Sequence, residues 1–255
     1  MAVTSEGTAE GRTVDPAEVA RFSAMADAWW DPNGKFKPLH RFNPVRIGYV
    51  KDVVCRHYGR DPNDTQALAG LEIVDVGCGG GLISEPVARL GATVTGIDAS
   101  AKNIAVAGLH AGQMGLAIDY QAKTSDDLVA EGRQFDVVLA LEIIEHVADV
   151  PAFVASLQAL AKPGALVLVS TLNRTAKALL LAIIGAEYVL RWLPPGTHSF
   201  EKFIRPTELE AMLAEAGLRV LERKGVVFNP LRDSWSLSRD TDVNYMVLAE
   251  RPAAS

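Results

Sequence analysis

The segment Glu72–Gly81, E-I-V-D-V-G-C-G-G-G, constrains this chain more than any other. Ile73, Val74 and Val76 form a short apolar, β-branched run that suits a buried parallel strand. Gly77, Gly79, Gly80 and Gly81 then make a sharp turn, and a helix pattern starts near Leu82. Strand, glycine turn and helix in that order make a nucleotide-type binding loop, because residues without a β-carbon let the backbone approach a ligand. Asp98 closes a second run, Thr93–Ile97. An acid at that position is placed to accept hydrogen bonds from a ribose.

The dinucleotide fingerprint is G-x-G-x-x-G. Gly77 and Gly79 fit it, but Leu82 stands where the third glycine belongs. A pyrophosphate needs that glycine and the helix N-terminal amides, whereas a cofactor without phosphate does not. The loop resembles motif I of S-adenosylmethionine (SAM) methyltransferases, with Asp98 as the ribose-binding acid of motif II. The bland alternative, a turn with no ligand, requires the glycines and Asp98 to coincide by chance.

Around this loop the pattern alternates. Strands are expected at Glu72–Val76, Thr93–Ile97, Ile118–Gln121, Phe135–Leu141, Leu166–Thr171, Leu218–Val227 and Val243–Arg251. Helices fall near Ser84–Leu90, Ala101–Met114, Pro151–Ala161 and Pro206–Ala216. This predicts an α/β fold with a seven-stranded, mostly parallel sheet, helices on both faces, and the last two strands pairing antiparallel at the edge. Ligands of such sheets sit at the carboxyl ends of the strands. Ahead of the sheet, Asp15-Pro16-Ala17-Glu18 has the form of a capped helix start, and a second helix is expected near Pro44–Tyr58. These two helices, residues 15–60, either pack on the domain or cover the cofactor. Arg46 is either a surface charge or a partner for the carboxylate of a methionine moiety.

The 255 residues and a formal charge of -6 suit one domain, 15–255, behind a polar tail, residues 1–14. That tail has no apolar core of the signal-peptide kind. Mild acidity argues against nucleic acid as a partner. Two cysteines, Cys55 and Cys78, offer neither a disulfide framework nor a zinc cluster, which suits a reducing cytoplasm. No apolar stretch reaches the roughly 20 residues that span a bilayer.

A second cluster carries chemistry. The strand Phe135–Leu141 delivers Glu142-Ile143-Ile144-Glu145-His146 at its active end. Two carboxylates and an imidazole can hold a divalent ion, and an imidazole can serve as general base. Solvated loop acids are the alternative.

Trp29-Trp30-Asp31, Phe36–Arg41, Asn43–Tyr49, Asp75–Gly81, Glu142–His146, Ser170–Arg174, Gly185–Tyr188, Gly196–His198 and Asp242–Met246 together resemble the ubiquinone-biosynthesis O-methyltransferase family. The likeness spans nearly the whole chain beyond the first fourteen or so residues. It implies a Rossmann-like class I SAM methyltransferase that methylates polyprenyl-catechol intermediates. By resemblance Arg46 meets the SAM carboxylate, Gly77 the cofactor, Asp98 the ribose and the backbone near Leu141 the methionine end, while Ala122–Asp126 borders the adenine. Glu142, Glu145 and His146 are the implied ligands of a divalent ion, magnesium foremost. Family members often have Met in place of Leu141 and an acid near Lys123.

A phenol with a pKa of about 10 is little ionised at neutral pH. Either a metal on Glu142, Glu145 and His146 lowers that value, or His146 takes the proton directly. The metal route is the one expected, since a base needs one residue and the cluster offers three. Residues 174–205 read as a helical insert. Within it Lys177, Glu187 and Arg191 fall within roughly 80 degrees on a helical wheel, leaving a broad apolar face. That face either packs on the protein or lies at a membrane interface, with Arg174, Lys177 and Arg191 near headgroups and Trp192 at the boundary. Peripheral attachment to the inner membrane, and contact with other ubiquinone-biosynthesis proteins, follow from the second reading. The rival functions are a SAM methyltransferase for another small phenol, a non-catalytic SAM-fold membrane subunit, and an NAD enzyme.

Overall fold

The computed structural model describes residues 13–179, 200–229 and 232–253. Among them one sheet contains β1 (Glu72–Val76), β2 (Thr93–Ile97), β3 (Asp119–Gln121), β4 (Phe135–Leu141), β5 (Ala161–Leu172), β6 (Arg219–Asn229), β7 (Ser234–Ser238) and β8 (Asn244–Glu250). Their spatial order is β3-β2-β1-β4-β5-β8-β6-β7. The first five are mutually parallel. β8 runs antiparallel to both β5 and β6, and β7 antiparallel to β6.

Eight strands replace the seven expected. The additional one, β7, reads Ser-Trp-Ser-Leu-Ser, too short and polar to signal a strand. Pairing with β6 and the packing of Trp235 on Phe42 and Phe228 hold it. β8 therefore lies inside the sheet, between β5 and β6, and β7 takes the edge. β5 also starts earlier than expected, at Ala161. Pro163 and Gly164 are accommodated by a register shift between Phe135 and Val137 of β4.

The helices are α1 (Pro16–Ser23), α2 (Lys37–Tyr58), α3 (Ser84–Arg89), α4 (Ala101–Gln113), α5 (Ser125–Ala130), α6 (Val150–Leu160), α7 (Ala176–Ala178) and α8 (Pro206–Glu215). α2 begins seven residues before Pro44, which it carries inside. α5 escaped the sequence reading because six residues are too few to show a helical period. Its capping box does the work: Thr124 accepts from the Asp127 amide and Asp127 from the Thr124 amide.

Strand alternation splits the core in two. Val74, Val76, Val138 and Val167 face α6 and α8 on one side. Ile73, Val94, Leu139 and Leu168 face α2 and α3 on the other. A third, smaller cluster of Ala26, Trp29, Phe36 and Leu82 belongs to the segment between α1 and α2. α1 itself buries no residue. Most of the expected insert, residues 180–199, including Glu187, Arg191 and Trp192, lies outside the described residues, as do residues 1–12 of the expected tail. Thr13, assigned to that tail, is buried, with its hydroxyl donating to Asp126 and its carbonyl accepting from Ala148.

Candidate active site

β1 ends at Gly77, whose φ of +74° only glycine adopts freely, and a β-carbon there would lie 2.5 Å from Ile143 Cγ1. At Gly79, with φ +54°, a β-carbon would lie 2.4 Å from the Trp29 ring. The loop is thus a cradle pressed between Ile143 and Trp29. Its amides turn toward the end of β2, where Asp98 accepts from Gly79 N at 3.0 Å, Ser100 N at 2.8 Å and Asn103 Nδ2 at 3.2 Å. A carboxylate has about four acceptor sites, so Asp98 keeps capacity for a ribose hydroxyl. Burial pushes its carboxyl up, against these three bonds. Trp29 Nε1 donates to Asn103 Oδ1 at 3.0 Å, which ties the N-terminal cover to Asp98 through Asn103.

Two cavities meet here. The first, about 780 Å³ and open to solvent, is bordered by Gly77, Gly79, Asp98, Lys123, Thr124 and Ser125, and is roofed by Glu18 and Phe22 of α1. The second is bordered by Arg46, Asp75, Leu141, Glu142, Glu145 and His146. Phe22, Trp29, Gly77, Glu142 and His146 line both.

Arg46 is 2% exposed and projects from α2. It bonds Asn43 and lies over the Phe42 ring, while its Nε has no partner among the described residues. Burial pushes its guanidinium down, opposed by the charges of Glu142, Asp75 and Glu145. A buried, incompletely bonded guanidinium is a site for an anion. Beside it Asp75 accepts from Ser84 Oγ at 2.6 Å. Burial raises the Asp75 carboxyl to about 6, against the Ser84 bond and the Arg46 charge. A cation and an acid at one cavity wall match the carboxylate and ammonium of an amino-acid moiety.

Beyond β4 the chain turns sharply. Glu142 holds φ +58°, an unusual conformation for a residue with a side chain, of the kind that gathers at functional sites. Its amide donates to Ser170 O at 3.0 Å and its carboxylate accepts from Ser170 Oγ at 2.8 Å. Glu145, 3% exposed, accepts from Thr171 Oγ1 at 2.8 Å, and its second oxygen has no partner among the described residues. Burial, then the charge of Glu142, pushes its carboxyl up. His146 turns elsewhere: its Nδ1 lies 3.3 Å from Glu18 of α1, and Phe22 packs edge-on at 5.0 Å. Burial alone would raise Glu18, but the bonds from His146 and Lys202 and the charge of Arg21 bring it to about 2.

All the expected site residues, Arg46, Gly77, Gly79, Asp98, Leu141, Glu142, Glu145 and His146, border one of these cavities. The structure does not join the acidic pair and the histidine into a ligand set. Among the described residues no three His, Cys, Asp or Glu side chains are grouped to hold a metal ion. Glu142 bonds Ser170, Glu145 bonds Thr171, and His146 Nδ1 lies on Glu18. Sequence reasoning missed Asp75, Trp29, Asn103, Ser170, Thr171 and Glu18 as parts of the site. In the sequence Glu18 reads only as a helix-start residue.

A glycine cradle and a buried acid at the carboxyl ends of a β3-β2-β1-β4-β5 parallel set, with a buried arginine of α2 beside them, are the features of a SAM-dependent methyltransferase. A family profile described as a methyltransferase domain matches residues 49–223. In solved structures, a magnesium protoporphyrin IX methyltransferase from Synechocystis with bound S-adenosylhomocysteine superposes with a TM-score of 0.61 at 22% identity. That match covers 91% of this chain and 94% of that one. A possible histamine N-methyltransferase from Thermotoga maritima gives 0.60 at 16% identity, covering 92% and 99%. At such identities these show the shared fold.

Curated relatives are much nearer. The ubiquinone biosynthesis O-methyltransferase of Brucella anthropi is 59% identical over 241 residues, 94% of this chain and 97% of that protein. The protein of the same name from Chelativorans is 59% identical over 242 residues, 95% and 96% of the two chains. The chain belongs to the ubiquinone biosynthesis O-methyltransferase family and is a SAM-dependent O-methyltransferase.

Proposed function

We propose that the enzyme transfers the SAM methyl group to a hydroxyl of a prenylated catechol-type intermediate of ubiquinone biosynthesis. The two reactions are 2-polyprenyl-6-hydroxyphenol to its methoxyphenol and 3-demethylubiquinol to ubiquinol. The single observation that carries the reading is the junction of the two cavities at Glu142 and His146. A donor bound along the glycine cradle and an acceptor against the acidic-imidazole corner then share a wall. Asp98 binds the ribose, and Arg46 and Asp75 bind the two charges of the methionine end. The phenolate oxygen attacks the methyl carbon in line, the O–C bond forms as the C–S bond breaks, and S-adenosylhomocysteine leaves. His146 takes the phenol proton. Magnesium on Glu142, Glu145 and His146 is the competing reading, from resemblance. No step is assigned to it, since each of the three side chains faces its own protein partner.

The test is methyl transfer from labelled SAM to short-chain prenylated catechols and to unprenylated ones, with magnesium and with EDTA. Transfer to the prenylated catechols that persists in EDTA and falls at least about 100-fold in His146→Ala supports the reading. Preference for unprenylated phenols refutes the substrate, and abolition by EDTA refutes the base.

Peripheral attachment to the inner membrane belongs to the same proposal, because the substrate's tail partitions into lipid. Among the described residues no helix is long and apolar enough to cross a membrane. Support comes from the apolar sequence 178–193. Of the basic residues assigned to headgroups, Arg174 bonds Glu208 and Lys177 bonds Asp240 and Asp242. Contact therefore falls to the apolar face rather than to those charges. Deleting 177–192 is expected to abolish co-sedimentation with anionic liposomes, and unchanged sedimentation refutes it.

A further inference from the structure

α1 is a helix with no fully buried residue, yet it lines the cavity at the glycine cradle. Apolar burial is the main source of helix docking in proteins, and on α1 it includes Phe22, half-buried against the Trp29 cluster. Its other attachments are polar. Lys202 reaches Asp15 at 2.9 Å and Glu18 at 3.2 Å. Ser23 bonds Ser100 across to α4 at 2.5 Å. Just ahead of the helix, Thr13 O accepts from Ala148 N at 3.0 Å, two residues beyond His146.

What α1 brings to the site is a matched pair of side chains. Glu18 and Phe22 are four residues apart, hence on one face of the helix. Glu18 Oε2 lies 3.3 Å from His146 Nδ1, and the Phe22 ring meets the imidazole at 5.0 Å with 76° between planes. One contact fixes the ring's polar edge and the other limits its rotation. The side chains are 16% and 9% exposed for Glu18 and His146, so water competes weakly for this bond. A carboxylate at Nδ1 holds the ring proton there, which makes Nε2 the accepting nitrogen. A base whose second nitrogen is oriented by a third group is the general arrangement of activated sites.

We propose that Glu18 is a positioning residue for His146, carried to it by α1 and held in place by Lys202. The proposal rests on His146 acting as the base. It assigns the N-terminal cover a part in the chemistry as well as in enclosing the cofactor. Lys202 connects that part to the chain just after residues 180–199.

The test uses the full-length enzyme with SAM and a catechol bearing one short prenyl chain. Glu18→Ala is expected to lower kcat tenfold or more while KM for SAM moves less than about threefold, since a general base is worth about 10²–10⁴. Glu18→Gln, which keeps an acceptor oxygen, should recover a large part of the lost kcat, and Lys202→Met should fall between the variant and the wild type. In a His146→Ala background, Glu18→Ala should add no further loss. Ring nitrogen NMR gives an independent signature: the His146 Nδ1–H tautomer should dominate in wild type and lose its excess in Glu18→Ala. Thermal melting identifies a variant that fails to fold, and Glu18→Gln then carries the test. A kcat within twofold of wild type, a loss confined to KM for SAM, or an unchanged tautomer overturns the proposal while leaving the base reading intact. Wild-type kcat in His146→Ala overturns both.

Discussion

Asp75→Asn should make the enzyme more stable and worse at binding SAM. The carboxyl is 3% exposed and raised by burial from 3.8 to about 6, with the Ser84 bond and the Arg46 charge only partly opposing the rise. At about 1.36 kcal/mol per pH unit, keeping it ionised at neutral pH costs about 3 kcal/mol. Its folded value lies above its unfolded one, so between about pH 4 and 6 the native state keeps a proton that the unfolded chain has lost. This group's contribution is therefore most favourable in acid and declines as pH rises through 6. Asparagine resembles the protonated form and can still accept from Ser84 Oγ. Urea unfolding of wild type and variant should show Asp75→Asn ahead by about 3 kcal/mol near pH 7.5, and its lead should shrink by about 2 kcal/mol near pH 4.5. Calorimetry with S-adenosylhomocysteine should show affinity down about tenfold or more, because the ammonium loses its counter-charge beside Arg46. A variant less stable than wild type near pH 7.5, or a lead that does not depend on pH, would refute the argument that ionisation of Asp75 is a burden kept for binding.

Gly77→Ala places a β-carbon 2.5 Å from Ile143 Cγ1 at φ +74°; left-handed strain and overpacking should cost about 2–4 kcal/mol and weaken S-adenosylhomocysteine binding more than tenfold by calorimetry. Trp29→Ala removes the stack on Phe36 at 3.8 Å and the bond to Asn103. Hydrogen exchange should then rise across residues 16–36 while β1 and β4 stay protected, since Trp29 belongs to the cover's own cluster; uniform loss of protection would contradict that separation. Thr171→Val takes away the bond to Glu145 Oε2, whose other oxygen already has no partner among the described residues. It should cost about 1–3 kcal/mol, more at high pH than at low, because the raised Glu145 carboxyl must then ionise without a donor.

The sequence made most of the parallel half of the sheet readable because β1, β2, β4 and β5 are buried on both faces. Ile73, Val74 and Val76, or Val137, Val138 and Leu139, leave little room for another reading. The antiparallel edge was harder. β7 owes its existence to β6 beside it and to Trp235 lodged on Phe42, a contact between residues far apart in the chain. The same division runs through the site. Gly77, Gly79, Asp98 and Glu142–His146 lie at strand ends, where local order announces them. Asp75 was hidden by its strand: in an alternating run it faces the α2 side, where an apolar residue is expected. Serving Arg46 is a property of the fold, not of the motif.

Glu18 makes the strongest case for that distinction. In the sequence it completes Asp15-Pro16-Ala17-Glu18 and is explained by capping alone. In the fold its amide does lie on Asp15, but its carboxylate reaches His146, 128 positions along the chain, and Lys202 further still. α1 buries no residue fully; it is held by ion pairs and hydrogen bonds together with Phe22, which packs on the Trp29 and Phe36 cluster. The polar anchorage runs through Asp15, Glu18 and Ser23, and Glu18 and Phe22 are the residues that meet the imidazole. On the proposed reading of His146 as the base, the helix that borders the methyl-transfer corner also carries the carboxylate that sets the ring.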